Sequence, residues 1–402
     1  MIPLDEARGV VLAGCFRLPA ERVPVDEALG LITSEAVVSA QAVPPFANTA
    51  MDGFAVRAAD TAETPATLTV VGTVAAGSRD LVPVGQGEAV RIMTGAPIPP
   101  GADAVVMVER TQMTEDGGTV VVLQAASAGD HVRAPGEDVA VGQEVFPAGT
   151  ELSPGHLGVL ASIGVFDVSV FRRPRVGVLS TGDELVDDDR PLQPGQIRDS
   201  NRHTLLALVA QAGCTPVDLG VAPDDEAAIT DAIERGLSQA DALLTSGGVS
   251  VGDFDYVKVV LDKLSGGSMR WMQVAVKPAK PLAFGTVGGK PVFGLPGNPV
   301  SSMVSFELFA RPGLRTLMGH PTPLRPAVRA VADEPLTRRP DGKVHFVRVR
   351  AVMGDDGRYH VRSSGGQASN LLRSMALANG LAVLPDGKGV AAAGEVDLLT
   401  LP

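Results

Sequence analysis

The chain has 402 residues, 45% of them hydrophobic and 20% charged, which is enough apolar material for two to four cores and too much for a disordered chain. Its 34 basic residues are outnumbered by 46 acidic ones, and the formal charge of −12 argues against non-specific binding to nucleic acid or an anionic membrane. Two isolated cysteines, Cys15 and Cys214, make no disulfide framework, and six scattered histidines give no zinc-ligand spacing. In chain order, the first element is a short amphipathic helix running into Leu12-Ala13-Gly14-Cys15. LAGC has the letters of a lipoprotein cleavage box, but Asp5, Glu6 and the short apolar run before it do not suit a signal sequence. With no run near the roughly 18 apolar residues of a membrane span, the expected location is the cytoplasm.

Residues 21–39 read as short strands. Residues 40–138 carry TLTVVGTVAAG, GEAVRIMTGAPIPPGADAVVMVER and GTVVVLQA, rich in Val and Thr and punctuated by Gly and Pro, the pattern of a β-rich domain. Residues 139–171 add short strands and one helix, SPGHLGVLASIG. Pairing of 21–39 with 139–171 would form a small linking α+β domain and leave 40–138 as an insertion.

From 172 to 318 strand and helix alternate. RVGVLSTGDEL opens with a strand; Leu205, Leu208, Val209 and Ala212 share one helical face, as do Ile229, Ala232, Ile233 and Gly236. DALLT is the next strand, and Val257, Val260, Leu261 and Leu264 mark a third helix. This order predicts parallel strands with right-handed crossovers, a doubly wound α/β domain joined by residues 1–20. Short strands with Gly-rich turns fill 319–402 and predict a C-terminal β-barrel-like domain.

Three loops fall where strands of the α/β domain end. They contain Ser180, Thr181 and Gly182 of STGDEL; Ser246, Gly247, Gly248, Ser250 and Gly252 of TSGGVSVGD; and Pro296, Gly297, Asn298 and Pro299 of GLPGNPVSS. Ligands of open α/β sheets bind outside the carboxyl ends of the strands. Glycine lets the main chain approach a ligand, and hydroxyls add neutral donors, a combination suited to a phosphate or to a heterocycle rich in hydrogen-bonding groups. Asp183, Glu184, Asp199, Asp253 and Asp255 are expected near a site that also receives Lys277 and Lys280 of VAVKPAKP; a solvated cap is the rival role for each aspartate. Carboxylates beside lysines and phosphate-binding amides point to Mg2+, with Asp183, Asp199 and Asp253 as candidate ligands.

The stretches VGVLSTGDEL, QIRDSN, DALLTSGGVSVGDFDYVK, VKPAKPLAFG and KPVFGLPGNPVSS closely resemble the molybdenum cofactor-binding domain shared by molybdopterin adenylyltransferases and molybdopterin molybdenumtransferases. PPFANTAMDGFAVR, VRIMTGAPIPPGADAVVMVE and VRAPGEDV resemble the extra domains of the molybdenumtransferases and of the gephyrin E domain. The resemblance implies a four-domain homodimer whose site lies between the molybdopterin-binding domain of one subunit and the inserted domain of the other. The implied reaction takes adenylylated molybdopterin and molybdate, uses Mg2+, releases AMP and leaves molybdenum on the dithiolene. The resemblance also implies that Asp52 of MDGFA, Thr94 of IMTGAP and Asp138 of GED reach in from the inserted domain. Glu184, Asp224 and Asp255 match acidic positions of the cofactor domain, so that the resemblance implies a catalytic part for these three together with Asp52, Thr94 and Asp138, and Lys277, Lys280, Arg348 of FVRV and Ser369 of QAS match a molybdate-facing set. The pathway's adenylyltransferase and cofactor-acceptor proteins are the implied protein partners. Two positions depart from the family. KPGKP is KPAKP here, an exchange that is neutral only where Ala279 needs no positive φ, and Gln273 stands where many relatives carry lysine. Gln273 keeps open a non-catalytic carrier or scaffold that retains the pocket.

Overall fold

The computed structural model describes residues 1–248 and 256–402. Ser250, Gly252, Asp253 and Asp255 therefore lie outside the described residues. The chain divides into two compact units, one formed by Met1–Glu21, Gly30–Ser34 and Ser169–Pro402, the other by Arg22–Leu29 and Glu35–Val168.

In the first unit, helix α1 (Leu4–Ala13) precedes an alternating series. It comprises β1 (Arg175–Thr181), α2 (Asn201–Gln211), β2 (Thr215–Ala222), α3 (Glu226–Gln239), β3 (Ala242–Ser246), α4 (Tyr256–Leu264), β4 (Arg270–Gln273), β5 (Pro281–Val287) and β6 (Lys290–Leu295). The sheet order is β2-β1-β3-β6-β5-β4. The first four strands are parallel, as the strand-helix alternation predicts. Strand β5 is antiparallel to both its neighbours, β6 and β4, so this one strand departs from the parallel order that the strand-helix alternation predicts. The cause is local: Gly288 and Gly289, at φ +57° and +78°, form the two-residue link between β5 and β6, and two positive-φ residues suit the hairpin turn whose twist matches the strands.

Alternating side chains on these strands feed two cores. Val176, Val178, Ala242, Leu244, Phe293 and Leu295 face one, with Ala7 and Val11 of α1 and Leu205 and Val209 of α2. Leu179, Leu243 and Val292 face the other, against Ile229, Ala232 and Ile233 of α3 and Val257, Val260 and Leu261 of α4. The period of two along each strand and of 3.6 along each helix thus meet as the sequence requires. Asp225 caps α3, its carboxylate accepting from the Ala228 amide at 2.9 Å. After β6, helix Pro299–Ser305 continues through a π-helical turn, Phe306–Ala310, into Arg311–Leu317.

The C-terminal part is a closed five-stranded barrel. Strands β7 (Ala327–Ala332), β8 (Val344–Met353), β9 (Tyr359–Ser363), β10 (Gly380–Leu384) and β11 (Glu395–Thr400) run in the order β8-β9-β7-β11-β10, and β10 returns to pair with β8. Closure leaves no open sheet edge except where Val276–Lys277 adds a short parallel strand to β8. That addition places Lys277 beside the barrel.

The second unit is a β-rich body. Its sheet runs Ala104–Met107, Gly53–Val56, Glu88–Ile92, Ala66–Val74, Thr119–Val122, Thr111–Met113. Phe54 and Val56 bury into one face and Ala55 into the other. Val37–Val38 pairs with Glu144–Phe146 and Val43 bridges Val139, so the segments on either side of 40–138 meet. Ser153 and His156 form a capping box at the helix Pro154–Ser162. Among the described residues no helix is long and apolar enough to cross a membrane. Cys15 follows α1 and is buried, and burial pushes its thiol up to about 12.

Candidate functional site

The ends of β1, β3 and β6 bring the three glycine-bearing loops to one edge of the sheet, as parallel strands must. Gly182, Gly247 and Gly248 have φ of +143°, +97° and +68°, where glycine is favoured. At Gly247 a side chain would also crowd Thr181, whose carbonyl oxygen lies 3.2 Å from the Cβ position. Ser180 and Ser246 are buried at the strand ends, while Gly297 and Asn298 are exposed. The Ser180 hydroxyl donates to Asp199 Oδ1 at 3.1 Å.

Asp199 is itself buried, and its other oxygen accepts from Arg202 Nε at 3.2 Å. Arg202 also pairs with Asp187 and Asp218, so its buried guanidinium is held by three carboxylates. Both Asp199 oxygens are thereby engaged within the protein. Asp183, Glu184 and Asp224 remain exposed, and Asp183 Oδ1 accepts from the Asp224 amide at 3.1 Å. Among the described residues no group of three acidic, histidine or cysteine side chains is arranged to hold a metal ion.

Beside the start of the helix at Pro299 lies a cavity of about 950 Å³, lined by residues 276–281, Ser301, the 335–347 segment and the loop that ends at Ser369. The amide of Val300 donates to the carbonyl of Ser369 at 3.1 Å, joining that loop to the helix start. Lys277, Lys280, Arg338, Arg339 and Lys343 all contribute to the walls. Their states differ. Arg338 is saturated by the carbonyls of Lys343, Leu384 and Pro385 and by Asp341 and Asp386, so it holds the loop together. Lys343 donates to Asp341 at 3.0 Å, and this bond, together with the neighbouring His345, holds the Asp341 carboxyl down to about 2. Lys277, Lys280 and Arg339 have no ion pair with any described residue. Three uncompensated cations in a concave wall of an acidic protein attract an anion.

Ser369 lines this cavity, whereas Arg348 does not. Arg348 is fully buried in β8, donating to the carbonyls of Gly366 and Ala368 at 2.6 and 3.1 Å while its amide bonds Gln367. It shapes the loop that presents Ser369. Gln273 is exposed at the end of β4 and is not among the lining residues.

Ala279 lines the same wall with φ +76°, so the family's glycine stood at a position that does need positive φ. An L-residue there costs about 1–2 kcal/mol. Its methyl group is buried in the main core, which offsets about 0.8 kcal/mol. Reverting it to glycine relieves the strain, loses the packing and frees the unfolded chain by about 0.4–1 kcal/mol. The A279G variant should therefore match the parent within about 1 kcal/mol in urea unfolding; a loss of several times that would contradict this balance.

In the second unit, Asp52 precedes strand Gly53–Val56 and Thr94 follows Glu88–Ile92, and the antiparallel pairing of these strands brings the two together. Asp52 Oδ1 accepts from the Thr94 hydroxyl at 2.7 Å and from its amide at 2.6 Å. The hydroxyl first, then the amide, holds the Asp52 carboxyl below its ordinary range. A depressed folded value means that the contact stabilises above the unfolded carboxylate range and is lost as pH falls through the depressed value. In T94V, an NMR titration of Asp52 should move upward towards the ordinary value, and an unmoved titration would refute the assignment. Asp138 lies elsewhere in this unit, on a surface cleft of about 450 Å³ with Asn48, Arg133 and Glu137.

The fold and the cation-lined cavity define a multidomain α/β protein with an anion-attracting pocket. Residues 2–164 match the MoeA N-terminal region (domain I and II), 177–316 the probable molybdopterin binding domain, and 329–401 the MoeA C-terminal region (domain IV). The chain is 39% identical to the molybdopterin molybdenumtransferase of Haemophilus influenzae over 396 residues, 98% of this chain and 97% of that one. It is 43% identical over 382 residues to molybdopterin molybdenumtransferase 2 of Mycobacterium tuberculosis, covering 92% of each. The crystal structure of the molybdopterin biosynthesis moeA protein from Pyrococcus horikoshii OT3 superposes with a TM-score of 0.83 at 29% identity, covering 99% of both chains. The chain belongs to the molybdopterin molybdenumtransferase (MoeA) family, as the motifs at the strand ends and in the β-rich region imply.

Sequence reasoning did not single out Arg339, Lys343, Asn201 or Arg202. The basic run in LTRRPDGKVH, so close to the barrel strand that adjoins Lys277, was the available signal for the first two. Asn201 closes QIRDSN, which was legible as a motif but not as a set of contacts, and Arg202 follows it directly.

Proposed function

We propose that this chain is a transferase that inserts molybdate into adenylylated molybdopterin and releases AMP in an Mg2+-dependent step. The observation that carries this reading is the cavity in which Lys277, Lys280 and Arg339 stand without carboxylate partners, next to the helix that begins at the glycine loop. Tetrahedral oxyanions are best held by charged donors. The neutral edge formed by Ser180, Thr181, Gly182, Ser246, Gly247, Gly248 and Pro296–Pro299 is the proposed cradle for pterin, phosphate and adenylate. Asp183, Glu184 and Asp224, exposed at the same edge, suit an Mg2+ that arrives on substrate phosphates and takes only one or two protein carboxylates. When bound, that ion would neutralise charge on the pyrophosphate link as it breaks. Asp199, committed to Arg202 and Ser180, is a poorer ligand than the sequence suggested.

Asp52, Thr94 and Asp138 keep the role that family membership implies, reaching the site from the inserted region of a second subunit in a homodimer. Asp255 keeps its proposed catalytic part and Asp253 its proposed metal-ligand part, both outside the described residues. The four-domain division at 21–39 with 139–171, 40–138, 1–20 with 172–318, and 319–402 is part of the same reading, as are encounters with the pathway's adenylyltransferase and with cofactor-acceptor proteins. The test is AMP release from adenylylated molybdopterin and Mg2+, with and without micromolar molybdate. Molybdate-dependent release supports the transferase; tight binding without release supports a carrier instead.

A further inference from the structure

We propose that the entry to α2, Asp199–Arg202, is a clasp that sets the strand ends and loop of the ligand edge in register, with Asn201 as a positioning residue for pterin binding; this rests on the function proposed above. The Asn201 side-chain amide donates to Ser246 Oγ at 2.8 Å and to the Gly297 carbonyl at 2.7 Å, one partner at the end of β3 and the other on the loop after β6. Two residues earlier, Asp199 accepts from Ser180 at the end of β1. One short segment therefore ties the ends of β1 and β3 to the loop after β6. This segment is anchored in its own right, because the buried Arg202 guanidinium ties it to Asp187 and to Asp218 on β2.

Spacing between the loops is tight enough to need such a device. Gly247 donates its amide to the Leu295 carbonyl at 3.1 Å, and a side chain there would crowd Thr181. A ligand that bridges loops already held in place loses less freedom on binding than one that must order them separately. The side-chain hydrogen bonds of Asn201 go to Ser246 and Gly297, so its loss should loosen these loop bases without removing an apolar core contact. The cavity lined by Lys277 and Lys280 has no bond to Asn201 and should be spared.

The test compares the full-length parent with N201A and with N201D, which keeps the shape and removes the donors. In hydrogen exchange without ligand, peptides covering 245–248 and 296–298 should both exchange about tenfold faster, and those covering 276–281 should not change. Purified molybdopterin should bind about tenfold more weakly, the scale of one lost hydrogen bond to a loop, while half-saturation by molybdate stays within about twofold. Unchanged exchange in both loops, a change in one loop alone, or equal weakening towards molybdopterin and molybdate would overturn the clasp. If the parent itself fails to bind molybdopterin, the proposed function falls, while the exchange arm still decides whether Asn201 couples the loops.

Discussion

Replacing Lys277 or Lys280 by alanine should raise the molybdate concentration needed for half-maximal AMP release by about tenfold, and replacing both by about a hundredfold. Each ammonium is exposed in the cavity and bound to no other described residue, so its loss removes an anion contact without leaving a buried partner stranded. Hydrogen bonds to charged groups contribute about 1.5–3 kcal/mol, and about 1.4 kcal/mol is a factor of ten. Unfolding midpoints should stay close to the parent's, because neither side chain packs in a core. Arginine at either position should restore part of the affinity, since the charge and the donors return with a different reach. Half-saturation unchanged in the double variant would remove the cavity from the account.

The second large effect is on stability. Arg202→Met removes the cation from a cluster in which Asp199 is buried and has its second oxygen on Arg202 Nε. Removing one partner of a buried pair costs about 3–5 kcal/mol because the other charge stays buried and unpaired. Asp187 and Asp218 are partly exposed and can be solvated, so the lower end, about 3 kcal/mol, is expected. Urea unfolding measures it. Adding Asp199→Asn should recover part of the loss, because the stranded charge is then gone. A loss below about 1 kcal/mol in R202M would show that the cluster relaxes into water.

Much of this architecture was readable before the fold was known. The helical faces of 205–212, 229–236 and 257–264 are the buried faces, because apolar periodicity reports directly on what packs against a sheet. The strand ends carrying Ser180, Ser246 and Pro296 were legible for the same reason: apolar runs stop there and glycine begins. The reversed direction of β5 was missed although VGGK marks the turn, because a pair of glycines reads equally well as a loop between parallel strands.

The contacts within the site were less legible. Asp52 and Thr94 are 42 residues apart and meet only through strand register. Asn201 finds its partners 45 and 96 residues away, through the closeness of β1, β3 and β6 rather than through any local pattern. Arg348 shows the converse: a motif match places it among the molybdate-facing residues, but β8 turns its side chain inward to hold the loop of Ser369. Motifs name residues, and register decides which of them face the cavity.

The most direct test of the central claim is to locate the oxyanion. Crystals soaked in tungstate or molybdate and measured for anomalous scattering should show the metal in the cavity between Lys277, Lys280 and the 338–345 segment, within hydrogen-bond reach of both ammonium groups. The peak should vanish in the double alanine variant. A peak held elsewhere, with this cavity empty in a protein that still turns over, would contradict the account.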